Sequence, residues 1–71
     1  MHRGVVLWFN DISGIGRIRN DQDGSPVKVT HKSIMRQGYK ILDEGQRVSF
    51  LVVKCKEGLE ARSVEVIDTD V

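Results

Sequence analysis

Glycine alternates with larger side chains over Gly14-Ile15-Gly16-Arg17-Ile18-Arg19, and that alternation constrains the chain more than any other stretch. On an extended strand, odd and even positions face opposite ways. Gly16 and Ile18 then share one face, while Ile15, Arg17 and Arg19 share the other. Glycine on the inner face lets a second backbone come close, as small barrels require at their bends. Just upstream, Trp8 and Phe9 stand side by side and make up half of the four aromatic residues. The outer face of such a strand would carry an apolar side chain and two guanidinium groups beside that pair. A surface mixing aromatic and cationic groups suits single-stranded nucleic acid, whose bases stack and whose phosphates need neutralising.

The remaining pattern predicts further short strands. Arg3 to Asn10 reads as the first, with Val5, Val6, Leu7, Trp8 and Phe9 all apolar or aromatic. Five such residues in a row blur the two-residue period, so either Val6 or Leu7 can face inward. A bulge near Trp8 would reconcile burial of the strand with exposure of both rings. Asp11-Ile12-Ser13-Gly14 is turn chemistry, and Ile15 to Asn20 is the second strand. Asn20 to Pro26 forms a hairpin loop with Asp23-Gly24 at its tip. Val27 to Thr30 is the third strand, with Val27 and Val29 inside and Lys28 and Thr30 outside. Ser33 to Gly45 reads as a long connection, with a helical turn at Ser33 to Arg36 and Ile34, Ile41 and Leu42 as anchors. The fourth strand, Gln46 to Lys54, turns Val48, Phe50 and Val52 inward and Ser49, Leu51 and Val53 outward. Lys56-Glu57-Gly58 is a hairpin turn before a fifth strand, Glu60 to Ile67. No helical periodicity of ten residues or more is present. The expected fold is all-β, a five-stranded antiparallel barrel of OB type.

Seventy-one residues leave room for one small domain, expected to span residues 1–67, with 68–71 a solvated tail or the cut end of a longer chain. No run approaches the roughly 20 apolar residues of a membrane helix, and no secretory signal is recognisable at the N-terminus. The single cysteine, Cys55, excludes an internal disulfide and is compatible with a reducing cytosol, so a cytoplasmic protein is the default expectation. The net charge of +1 conceals an uneven distribution. Arg17, Arg19, Lys28, Lys32, Arg36 and Lys40 outnumber Asp21 and Asp23 by four between residues 17 and 40. From residue 41 onward, acidic groups outnumber basic ones seven to four. A basic side for a polyanion and an acidic side facing away would account for this division, although a surface with 30% charged residues also fluctuates by chance.

A family resemblance enters at these residues. Leu7-Trp8-Phe9-Asn10 and Ser13-Gly14-Ile15-Gly16-Arg17-Ile18 resemble the K-W-F-N and K-G-F-G-F-I of the cold-shock domain. Gly38-Tyr39-Lys40-Ile41-Leu42-Asp43-Glu44-Gly45-Gln46-Arg47-Val48-Ser49-Phe50 is similar to that family's G-Y-K-x-L-x-E-G-Q-x-V-x-F. The likeness runs from near Gly4 to about Val64. It implies the cold-shock form of the OB barrel and binding of single-stranded RNA or DNA, with RNA-chaperone or gene-regulatory roles. Trp8, Phe9 and Tyr39 match positions that stack on bases, and Asn10 is placed to bond a base edge. Ile15 and Arg17 stand where the motif has two phenylalanines, and Leu7 and Ser13 where it has lysines. At the family's V-F-V-H, one register sets Lys28 for the phenylalanine and Thr30 for the histidine. The other aligns His31 with that histidine and pushes Lys28 toward the core at the cost of desolvating its charge. The first register is preferred, and it leaves His31 just past the strand on the binding side. Losing three rings at about 1–3 kcal/mol each removes roughly 3–9 kcal/mol of stacking. Arg17, Arg19, Lys28 and Lys32 are placed to offset that loss through phosphate contacts, and Arg17 could also lie flat on a base.

The expected site is therefore Trp8, Phe9, Asn10, Ile15, Arg17, Arg19, Lys28, Thr30, His31, Lys32 and Tyr39. The competing reading is an OB-fold protein-interaction module that has lost nucleic-acid binding, with Ile15, Leu51 and Val53 meeting a protein. In structural terms alone, an adjacent Trp-Phe pair can also be one buried ring and one covering a loop, and His31 a solvated loop residue. Catalytic readings find little support. Gly14-Ile15-Gly16 lacks the third glycine and following helix of a nucleotide loop. His2, His31 and Cys55 lack metal-ligand spacing, and Asp43-Glu44 are adjacent rather than opposed. Cys55, between Lys54 and Lys56, reads most simply as a small apolar residue. No catalytic residue, cofactor, metal, membrane or small-molecule substrate is expected, and the oligomeric state is expected to be monomer or weak dimer.

Overall fold

The computed structural model describes residues 1–35 and 41–67. Five strands run in the order β1 (His2–Asn10), β2 (Ile15–Asn20), β3 (Pro26–Thr30), β4 (Arg47–Cys55) and β5 (Gly58–Val66). They close a barrel in the spatial order β1-β2-β3-β5-β4. The β1–β2, β2–β3 and β4–β5 pairs are antiparallel, as the hairpin chemistry predicts, and the non-consecutive β1–β4 pair is antiparallel as well. Closure is made by a short parallel pairing of Lys28 with Glu60, continued by a bridge between Ile34 and Val64. The helical turn expected at Ser33 to Arg36 lies earlier, as a 3₁₀ turn over His31–Ser33.

Alternation builds the core. β2 buries Gly16, Ile18 and Asn20 while exposing Ile15, Arg17 and Arg19. β3 buries Val27 and Val29. Val6, Val48, Phe50, Ala61 and Val64 complete the interior from the other strands, and Ile34 and Leu42 seal it from the connection. The expected inward set on β4 holds for Val48 and Phe50, with Val52 half-buried. Ser49, expected outward, is buried as well, next to a register shift against β5.

That shift comes from an extra residue on β5. Ser49 pairs with Glu65 and Leu51 with Arg62, so two steps on β4 face three on β5. Ser63 takes up the difference in the left-handed region at φ 53°. A side chain there costs about 1–2 kcal/mol because Cβ crowds the following carbonyl. Ser63→Gly is therefore expected to raise stability by about 1 kcal/mol, the unfolded-state entropy of glycine taking back the remainder. Thermal melts would show this as a rise of about 4–8 °C for a domain of this size. A fall would mean that the Ser63 side chain itself holds the bulge.

The β2–β3 loop closes as expected at Asp23-Gly24, with Gly24 at φ 74°. Asp23 Oδ1 accepts hydrogen bonds from the Ser25 backbone N–H at 3.0 Å and its hydroxyl at 2.7 Å. These bonds hold the Asp23 carboxyl below its ordinary pKa, the backbone donor contributing most.

Candidate nucleic-acid interface

The adjacent aromatic residues do not share a face. Val6 pairs with Ile18 and Trp8 with Arg17, so Leu7 is the extra residue of a bulge in β1. Two consecutive side chains, Leu7 and Trp8, consequently point outward, and Phe9 returns to the inner face opposite Gly16. Trp8 is 46% exposed. Phe9 is half-buried, packs on the core, and lies where a Gly16 side chain would be. The bulge lies beside Trp8 as expected, but it does not expose both rings: Leu7 and Trp8 face outward, and Phe9 supports the sheet from within.

Cross-strand pairing then assembles the outer face in rows. Trp8, Arg17 and Lys28 lie side by side on β1, β2 and β3, and Lys28 continues the row to Glu60 on β5. Asn10, Ile15 and Thr30 form the next row, and Val5, Arg19 and Pro26 the one on the other side. Asn10 Oδ1 accepts from the backbone N–H groups of Ile12 and Ser13 at 2.9 and 3.1 Å, so this oxygen shapes the β1–β2 turn and its amide NH₂ is the group left for a ligand. His31 is tied to the same corner through its backbone N–H, which donates to Gly14 O at 2.8 Å. Gly14 has φ 72°, and a Cβ there would run into the His31 ring, so glycine serves both backbone and packing. The exposed Lys32 follows in the 3₁₀ turn. Tyr39 lies outside the described residues.

The β4–β5 hairpin adds groups that sequence reasoning read only as a turn. It leans over β3 and forms a cleft of about 360 Å³, with Ile15, Arg17 and Lys28 on one side and Cys55, Glu57 and Leu59 on the other. Glu57 Oε1 stands 3.8 Å from Lys28 Nζ. Glu57 is largely exposed, and such pairs contribute at most about 1 kcal/mol, so a phosphate can displace it. No local sequence pattern ties Glu57 in this turn to Lys28 on β3. Among the described residues, no group of three or more His, Cys, Asp or Glu side chains is arranged to hold a metal ion, and no helix is long and apolar enough to cross a membrane.

A sequence profile of the 'cold-shock' DNA-binding domain matches residues 2–67. The chain belongs to that family. It is 47% identical over 64 residues to the cold shock-like protein CspA of Vibrio cholerae serotype O1, covering 90% of this chain and 91% of that protein. It is 45% identical over 64 residues to the major cold shock protein CspA of Pseudomonas aeruginosa, with the same coverage of 90% and 91%. The solved structure of Drosophila Unr CSD456 matches with a TM-score of 0.78 at 14% identity, over 97% of this chain and 27% of that one, a likeness of fold. Membership of a nucleic-acid-binding family supports nucleic-acid binding in general. On this cold-shock barrel, and among the described residues, the outer face of β1–β3 sets the exposed Trp8 ring beside Arg17 and Lys28.

Proposed function

We propose that this cold-shock domain binds single-stranded RNA or DNA with low sequence selectivity on the outer face of β1, β2 and β3, as an RNA chaperone or regulator of gene expression would. The row of Trp8, Arg17 and Lys28 carries the reading, since a base plane and two cations at neighbouring strand spacing suit consecutive nucleotides. Trp8 stacks on a base. Arg17, Lys28, Arg19 and Lys32 neutralise phosphates, and Arg17 also offers its guanidinium plane to a base. Ile15, Thr30 and His31 line the path. Phosphate contacts position a strand without reading its sequence, so selectivity is low.

Trp8 is the sole tryptophan, and its emission reports on the site directly. Titration with a heptameric oligopyrimidine is expected to quench it to saturation at micromolar strand. Trp8→Ala, followed by anisotropy of a labelled strand, is expected to weaken binding by about 1–2 kcal/mol, the lower part of the range for a stacked base because the ring is half-covered. A flat titration of folded protein at low salt would remove the nucleic-acid reading. The protein-interaction reading would then stand on exposed apolar side chains, Ile12 at 94% and Leu51 at 45%. A defined dimer covering Ile15 and Trp8 would favour it.

A further inference from the structure

A second cavity, of about 440 Å³, opens beside the 3₁₀ turn between β3 and β5. Lys32 and Arg62 supply cations to its lining, and Thr30, Ser33 and Ser63 supply hydroxyls. Glu60 lines both this cavity and the cleft over Lys28, so the two recesses meet along the parallel seam. Arg62 Nε donates to Glu60 Oε1 at 2.9 Å. Glu60 and the Cys55 side chain both neighbour the Arg62 head group, and arginine's five N–H donors exceed what these two partners take up. The neighbouring Ser63 is the left-handed bulge residue, and bulges re-aim side chains next to working sites. Lys32 and Arg62 together outweigh Glu60 by one positive charge.

We infer that this cavity is a phosphate-binding extension of the nucleic-acid path, in which Lys32 and Arg62 hold the backbone of a strand that has already crossed Trp8, Arg17 and Lys28. The inference rests on the single-strand reading above and adds β5 to a face otherwise built from three strands. Glu60 is a positioning residue for Arg62, and the hydroxyls of Ser33 and Ser63 are the neutral donors to the same phosphate. A short strand is satisfied by the β1–β3 face alone, whereas a longer one reaches the cavity.

The test compares Arg62→Gln with Arg3→Gln, which removes the same charge where β1 runs beside β4, far round the barrel from β5's cavity face. Labelled oligothymidines, one a tetramer and one a nonamer, are titrated by anisotropy from 50 to 200 mM salt. One phosphate contact contributes a slope of about 0.7 and is worth about eightfold in affinity at 50 mM salt. Arg62→Gln is expected to bind the nonamer up to about eightfold more weakly at 50 mM salt, with a slope flatter by about 0.7. The tetramer should be unaffected, and Arg3→Gln should match the unsubstituted chain with both strands. Equal losses in the two variants would reduce the effect to net charge and overturn the inference. So would an unchanged slope for Arg62→Gln while the unsubstituted chain still binds, and the β1–β3 reading would survive. No binding by the unsubstituted chain would overturn both.

Discussion

Replacing Gly16 by alanine is expected to lower the melting temperature by about 10–20 °C. An added Cβ would stand 2.5 Å from Trp8 O and 2.6 Å from Phe9 Cδ1, with Phe9 Cα at 3.1 Å. Two of those obstacles are backbone atoms, which cannot swing aside as a flexible side chain can. Overpacking of this kind costs typically 1–3 kcal/mol, and the backbone obstacle puts Gly16→Ala at about 2–3 kcal/mol. Each kcal/mol moves the midpoint of a domain this small by about 4–8 °C. Relief can come only by pushing β1 away from β2 at Trp8, so the same variant should also bind a single strand less tightly under conditions where it remains folded. Circular dichroism melts check the first effect and anisotropy the second. A melting temperature within 2 or 3 °C of the unsubstituted chain would mean that the strands separate at little cost, and that close approach at Gly16 is not what closes this side of the barrel.

Raising salt from 50 to 200 mM is expected to weaken single-strand binding about 50-fold. Arg17, Arg19, Lys28 and Lys32 are the four cations on or beside the β1–β3 face that the proposed reading sets against phosphates. Each single-strand phosphate neutralised contributes about 0.7 to the slope of log affinity against log salt. Four give a slope near 2.8, and a fourfold change in salt then amounts to about 1.7 decades, or roughly 2.3 kcal/mol. The same salt screens the Glu57–Lys28 pair and so frees Lys28. This offsets only a small part of the loss, because a pair 3.8 Å apart with Glu57 largely exposed contributes at most about 1 kcal/mol. Arg17→Gln should flatten the slope by about 0.7. Affinity that is constant over this range would leave stacking on Trp8 as the sole support, and the electrostatic account would be abandoned.

The outward placement of Ile15, Arg17 and Arg19 was legible because β2 alternates cleanly and both its neighbours leave that alternation undisturbed. The same logic identified Val27 and Val29 on β3. It failed on β1, where five consecutive apolar or aromatic residues carry no periodic mark and the position of the bulge depends on β2's register. Trp8 was therefore assigned to the right face and Phe9 was not. The parallel seam between β3 and β5 was invisible for another reason: Lys28 and Glu60 are far apart in sequence, and no local pattern encodes their pairing. Glu57, Leu59 and Arg62 escaped notice for that reason. Each looks like ordinary hairpin or strand surface until the barrel closes and carries it toward β3.

The bulge at Leu7 has a consequence for how this surface can change over time. Before it, β1 counts inward residues on even numbers, as at Gly4 and Val6; after it, the count passes to odd numbers, as at Phe9. The strand thus keeps two parities, one for holding the barrel and one for presenting a ligand platform. Substitutions beyond the bulge can redesign the platform without disturbing the count that seats Val6. Loss or gain of a single residue there would do the opposite, exchanging Trp8 and Phe9 between surface and interior in one step. What the face can recognise is written in that change of parity as much as in the identity of its side chains.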